Sequence, residues 1–276
     1  MSAQEAVRKF LARHRRIGFV IFFVLIVCAA SIIQQEPSIE AIVSYLVLCA
    51  IVSFASLILN TRNFRGLLDI LSTDCNAQKM LEVASLLMEK RKGRREAPIY
   101  EVLYAMCSAQ LGYDDIALQW VDKVESTPKL SMSNRLSACN VRAVVARHRH
   151  DRDEQANVRG RVVALCSGGR VSAPARRTAD LIVAWIDFDI ALGDGEWQRC
   201  NELLGAMSAL SLTQQQKVSM EHCRAQLAEA RGDIAAAREG YTFVAENGGD
   251  CYMARQSSEW LAAQEKEPEA ATNTTL

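Results

Sequence analysis

Two uncharged apolar runs near the start of the chain restrict its fold more than any other feature. Residues 17–33 carry no charge, and twelve of them are Leu, Ile, Val or Phe. At roughly −0.3 to −0.6 kcal/mol each at mid-bilayer, those side chains favour insertion by about 4 to 7 kcal/mol. Residues 41–59 are also uncharged, and Ser44, Ser53 and Ser56 can each hydrogen-bond back onto their own helix. Both runs approach the roughly 20 residues that a helix needs to cross a bilayer. The bridge, residues 34–40, is too short to be a domain, and Pro37 suits a turn between antiparallel helices. A cleaved export signal is the alternative, because Cys28-Ala29-Ala30 is a small-residue stretch at the end of an apolar run. Bulky Val27 precedes Cys28 where a lipoprotein signal has a small residue, and the second run would anchor the chain in either case. The expectation is an uncleaved transmembrane hairpin, residues 17–33 and 41–59.

Flanking charge sets the expected orientation. Arg8, Lys9, Arg13, Arg15 and Arg16 precede the first run, Arg62 and Arg65 follow the second, and the bridge has only Glu36 and Glu40. Basic flanks stay on the cytoplasmic side, so a two-pass protein with both termini in the cytoplasm is expected. Residues 1–16 form a basic cytoplasmic tail on this reading. Cys49, Ser53 and Ser56 offer a small-residue face for the first helix.

The body beyond residue 59 has 27 basic and 29 acidic residues, a balance that argues against nucleic acid as a partner. Its seven cysteines are Cys75, Cys107, Cys139, Cys166, Cys200, Cys223 and Cys251. Their number is odd and they form no CxxC pair, which suits reduced packing residues in a cytosol better than a disulfide framework.

Periodicity in the body is helical throughout, so the fold class is all-α. Met80, Val83, Ala84, Leu87 and Met88 form one stripe, and Ile99, Val102, Leu103, Met106 and Cys107 form the next. No stretch alternates as a sheet strand would. Glycine and proline gather between these stretches, at Gly93, Pro98, Gly112, Pro128, Gly193, Gly195 and Gly232 among others. A repeated unit also emerges. In "AQLGYDDIALQWVDKVESTP", residues 109–128, a helix ends at Gly112 and a second opens near Ala117; residues 228–248 repeat this through Gly232, Asp233 and Ala237. A weaker copy has Gly195 and Cys200, and a weaker one still has Asp151 for the glycine and Ala156 at the small position. Glycine permits a tight link, the acid suits a helix N-terminus, and a small residue lets the two helices approach.

This pattern resembles the tetratricopeptide-repeat family. Gly112, Ala117, Trp120, Lys123 and Pro128 stand about where that family has its glycine, small residue, aromatic, basic residue and helix-ending proline, and Gly232, Asp233, Ala237 and Tyr241 match in the last copy. The spacing exceeds the family's 34 residues and is uneven. Glu101 and Glu221 stand where its first-helix aromatic would be. The resemblance implies a degenerate α-solenoid of helical hairpins over residues 60–262, following the two transmembrane helices; an irregular helical bundle is the alternative. Residues 263–276 are polar without an apolar stripe and are expected to be disordered.

Chemistry-bearing motifs are scarce. The chain has no glycine-rich phosphate loop, GxSxG elbow or HExxH. "RHRHDRD", residues 147–153, sets His148, His150, Asp151 and Asp153 among arginines that disfavour a cation, so a solvated helix end is expected. In "LCSGGR" only three residues separate Cys166 from Arg170, where a cysteine-phosphatase loop needs five. Asp187 and Asp189 diverge by about 200° on a helix, and with Asp194 they suit capping or solvated roles. No catalytic residue, metal or cofactor is expected, nor a small-molecule substrate.

The expected function is therefore that of a membrane-anchored scaffold or adaptor whose cytoplasmic body binds a protein or peptide partner. Stacked hairpins create a groove lined by their first helices, here with Tyr100, Tyr104, Ser108, Arg135, Asn140, Arg142, Glu221 and Arg224 as the candidate lining. The basic run Lys90, Arg91, Lys92, Arg94 and Arg95 is a candidate contact with an anionic bilayer surface. The alternatives are a structural subunit assembled through the hairpin and a membrane enzyme without a sequence motif.

Overall fold

The computed structural model describes residues 1–34, 38–91, 97–168, 171–210 and 212–272. These residues form twelve α-helices and no strand, in two compact units, residues 1–69 and 70–276.

The first unit contains α1, Ala3–Gln34, and most of α2, Ile39–Ser72, both long and apolar enough to cross a membrane. Each helix overruns the apolar stretch that predicts it: the basic N-terminal tail is the first part of α1, and α2 continues past residue 59. Three contacts tie the helices together in antiparallel order. Phe10 meets Phe64 edge-on with ring centroids 6.4 Å apart, Asn63 Nδ2 donates to the Phe10 carbonyl at 3.2 Å, and His14 Nδ1 lies 2.8 Å from Asn60 Oδ1. Asn60 Nδ2 also donates to Ser56 Oγ. Ser53 is exposed, so it does not share the half-buried stripe of Cys49, Val52, Ser56 and Asn60. Toward the middle of both helices the large apolar side chains Phe19, Phe22, Leu46 and Phe54 are exposed.

The second unit begins with α3, Ala77–Lys90, and continues with α4, Ala97–Gln110, and α5, Asp114–Glu125. Next come α6, Met132–His148, α7, Arg152–Ser167, α8, Ala173–Asp194, and α9, Trp197–Ser208. It ends with α10, Gln214–Ala230, α11, Ile234–Asn247, and α12, Tyr252–Thr272. Consecutive helices from α4 to α12 pack on one another, and α4 also packs on α6, α6 on α8 and α10 on α12.

Four of the links share one geometry. Gly112, Gly195 and Gly232 are left-handed, with φ of 79°, 73° and 77°, and His150 takes the same conformation at φ 52°. At each, the residue's own N–H donates three residues back and the next N–H donates five residues back: Gly112 to Ala109 with Tyr113 to Ser108, His150 to Arg147 with Asp151 to Ala146, and likewise at Gly195 and Gly232. These bonds satisfy the last carbonyls of α4, α6, α8 and α10. Five residues beyond each turn residue lies a buried contact position, occupied by Ala117, Gln155, Cys200 and Ala237. The α6–α7 copy is thus registered one residue earlier than its sequence suggests. His150, not Asp151, stands for the glycine, and Gln155, not Ala156, fills the small site; Asp151 instead caps α7 by accepting from Glu154 N–H, and Ala156 is exposed. The opposite links also repeat. Ser131, Ser172 and Thr213, each 41 residues from the next, cap α6, α8 and α10 through their hydroxyls.

Between these fixed ends the apolar stripes merge in threes. Ala105, Ala117, Val121, Val141 and Val145 join α4, α5 and α6; Cys139, Val158, Val162 and Ile186 join α6, α7 and α8; Phe188, Cys200, Leu204 and Cys223 join α8, α9 and α10. The body cysteines are free thiols, and all but Cys166 are buried. α12 is the last layer, held by Trp260 Nε1 donating to Glu229 Oε1 at 2.8 Å, while Tyr241 Oη donates to the other oxygen of Glu229 at 2.6 Å. It continues helically to Thr272, through part of the stretch whose composition predicts disorder.

Candidate functional site

Side chains from α4, α6, α8, α10 and α12 face a cavity of about 280 Å³. Its walls combine Leu181, Ile182, Trp185 and Met253 with the carboxamides of Gln110, Asn140, Gln215 and Gln226. Its charged centre is Arg147 on α6 and Asp189 on α8: Arg147 Nε donates to Asp189 Oδ2 at 2.7 Å, and the two side chains are only 20% and 11% exposed. The guanidinium carbon lies 5.7 Å from the centre of the Trp185 ring, a cation–π distance. Burial pushes the Asp189 carboxyl up, against the opposing pull of Arg147.

Three of the chain's four histidines line this cavity. His148 places Nδ1 2.8 Å from Asp114 Oδ1 and packs its ring 4.2 Å from that of Tyr252. Burial lowers its pKa even though Asp114 pulls it up. His222 sits beneath, with Tyr241 edge-on at 5.7 Å and Ser257 Oγ 3.5 Å from Nδ1. Burial first, then the positive charge of Arg147 and His148, brings His222 down to about 3, so it is neutral at physiological pH. Gln226 Oε1, one helical turn from His222, is buried without a hydrogen-bond partner. No group of His, Cys, Asp and Glu among the described residues could hold a metal ion.

Of the residues the sequence nominates for a groove, Asn140 alone lines the cavity. Tyr100 and Ser108 are buried in the α4 packing face, and Ser108 Oγ donates to the Tyr104 carbonyl at 2.9 Å. Tyr104 packs against Trp120 at 5.2 Å. Arg142 ties α6 to α5 by donating to Asp122 at 2.5 Å and Glu125 at 2.8 Å. Arg135 is exposed. Glu221 pairs with Arg224 at 2.5 Å along α10, and Arg224 faces a second hollow with Asn201, Arg231 and Asp233. In the basic run Lys90 is exposed and Arg91 is 7% exposed; Lys92, Arg94 and Arg95 lie outside the described residues.

Residues expected to be solvated turn out to be ties between helices. Asp187 accepts from Arg159 at 2.5 Å, Asp189 from Arg147, and Asp194 from Arg152 at 2.5 Å, so α8 is bound to both α6 and α7. The "RHRHDRD" run supplies Arg147, His148, Arg149 and Arg152 to such ties, Arg149 reaching Asp115 at 2.6 Å. Arg147, Asp189, His222 and Trp185 escape motif reading because they are far apart in sequence. They lie on α6, α8 and α10, the helices that end at His150, Gly195 and Gly232, and of these turns only the two glycines are signalled in the sequence.

The molecule is accordingly an all-α protein with two candidate membrane-spanning helices and a cavity lined from α4, α6, α8, α10 and α12. No protein-family model, no curated protein and no solved structure matches the chain.

Proposed function

We propose that the protein is a membrane-anchored adaptor. α1 and α2 lie in the bilayer as a hairpin with both termini in the cytoplasm, and the body is a tetratricopeptide-like solenoid that receives a protein or peptide partner across the mouth of the cavity. The observation that carries this reading is the convergence of the first helices on one open hollow. Four turns of one geometry place α4, α6, α8 and α10 in equivalent settings, and their polar side chains face common space. Ligand sites are concave and place polar groups beside apolar walls, and this hollow sets carboxamides, hydroxyls and an ion pair beside Leu181, Trp185 and Met253. The exposed apolar side chains of α1 and α2 support burial in lipid, since water would expose several phenylalanines and leucines together. A tether raises the effective concentration of a bound partner at the bilayer.

A photocrosslinking residue at Gln215, on the cavity wall, tests the reading in the full chain in cells. The expected result is a discrete crosslinked protein that is absent when the same residue replaces Trp197, which is not part of the cavity lining. Equal, diffuse labelling from both positions would oppose it.

A further inference from the structure

We propose that the floor of the cavity binds a small zwitterion, an α-amino acid with an apolar side chain. Arg147 and Asp189 meet through a single contact, Nε to Oδ2. Both residues line the cavity, and among the described residues no other hydrogen bond uses an Nη atom of Arg147 or Oδ1 of Asp189, so the pair keeps spare donors and a spare acceptor for a ligand there. The site therefore presents a donor fork of positive charge beside an acceptor of negative charge, next to an apolar wall of Leu181, Trp185 and Met253. A ligand carrying one charge would compete with half of the pair and leave the other half uncompensated in a poorly solvated place. A ligand carrying both charges satisfies both ends: its carboxylate takes the Nη donors, a planar fork suited to carboxylates, and its ammonium takes Oδ1.

Gln226 supplies the second, independent observation. Gln226 lines the same cavity, and its Oε1 is a buried acceptor without a donor that a turn of the side chain would present to a ligand. An ammonium has three N–H donors, so one remains for Gln226 after Asp189 is served. Leu181, Trp185 and Met253 form the apolar wall that a side chain would meet. At about 280 Å³ the space lies at the small end for ligand pockets, fitting a single amino acid better than a nucleotide or an extended peptide. Buried His222, neutral at pH 7, adds no charge, so the site and the ligand are both close to net zero. This inference concerns the floor of the cavity and stands whether or not a protein partner docks at its mouth.

The test is thermal unfolding and titration calorimetry of the full chain in detergent with each of the twenty proteinogenic amino acids. The expected result is a saturable rise in Tm with at least one of Leu, Ile, Val, Met or Phe. That rise should vanish when the same molecule is N-acetylated and again when it is a methyl ester, because each change removes one charge. Gln226→Leu should fold with an unchanged circular dichroism spectrum and bind the same amino acid about tenfold more weakly. Absence of a saturable shift with every apolar amino acid overturns the proposal. So does equal binding of the acetylated or esterified form, or unchanged affinity in Gln226→Leu.

Discussion

Asp250, in the loop before α12, caps the helix that begins at Ala77, 173 residues earlier in the chain. Its two oxygens accept from the Ala77 N–H at 2.6 Å and the Gln78 N–H at 2.8 Å, while Asn76 caps the same helix through the Lys79 N–H. Beside it, Cys251 Sγ approaches the Cys75 carbonyl, and a Cβ on Gly249 would collide with that carbonyl. The first and last layers of the body are therefore joined through a loop and a helix N-terminus. A carboxylate at that position compensates orphan N–H groups and the positive end of the helix dipole. Asp250→Ala is expected to cost about 1–2 kcal/mol, read as a lower Tm of the full chain, with faster hydrogen exchange at the amides of residues 77 and 78. Unchanged exchange at those two amides would show that the cap contributes nothing.

Two turn residues in equivalent positions should respond oppositely to substitution. Gly112→Ala adds a Cβ 2.7 Å from Tyr252 Cδ2 at φ 79°, where an L side chain is strained. A loss of more than about 1 kcal/mol is expected. His150 already bears that strain at φ 52°, and His150→Gly relieves it at some cost in unfolded-chain entropy. The net gain should be about 0.5–1 kcal/mol. Paired thermal melts check the two signs together.

His222 makes stability depend on pH. Its folded value is about 3 and its ordinary value about 6.5, so between these limits the unfolded chain binds a proton that the folded chain does not. The contribution is fully present above pH 6.5 and is lost as pH falls toward 3, at up to roughly 1.4 kcal/mol per pH unit. His148, also lowered by burial, acts in the same direction. His222→Leu should flatten the slope of unfolding free energy against pH in that window. A variant as acid-sensitive as the parent would place the effect elsewhere.

Much of this fold is legible in the sequence, and the exceptions have physical causes. The two apolar helices, the all-α class and the turns at Gly112, Gly195 and Gly232 follow from hydropathy, periodicity and the rarity of left-handed residues other than glycine. The fourth turn does not, because histidine also tolerates that conformation, and a search for glycine then slips to the neighbouring aspartate. α12 extends beyond Leu261 because Ala, Gln, Glu and Lys favour a helix once Trp260 ties the preceding turn to Glu229. The cavity stays hidden because Arg147 and Asp189, 42 residues apart, become neighbours only when α6 packs on α8.

Thiol accessibility offers a check on the packed layers. Burial raises the Cys107 thiol above its ordinary range and pushes Cys223 and Cys251 up to about 12, so they are protonated as well as enclosed. Of the body cysteines, Cys166 alone is half-exposed. In the native chain maleimide should modify Cys166 first and leave Cys107, Cys200, Cys223 and Cys251 intact until denaturant is added, as mass spectrometry of tryptic peptides would show. Native labelling of Cys251 would mean that the loop holding Asp250 against α3 opens.

The adaptor reading and its alternative, a subunit assembled through the hairpin, make opposite demands on α1 and α2. The inter-helix contacts of Phe10, His14, Asn60 and Asn63 lie toward the outer ends of the two helices, leaving Phe19, Phe22, Leu46 and Phe54 to face lipid or another protein. A tether needs only apolar length, about 20 residues per crossing, whereas a subunit interface needs particular side chains in a particular register. Replacing residues 17–33 and 41–59 with an unrelated hairpin of equal length should therefore preserve the crosslink from Gln215, and a cysteine reporter at either terminus should stay shielded from impermeant maleimide in intact cells. Loss of the crosslink with the body still folded would transfer the interface to the membrane helices, and labelling of a terminus from outside would reverse the orientation.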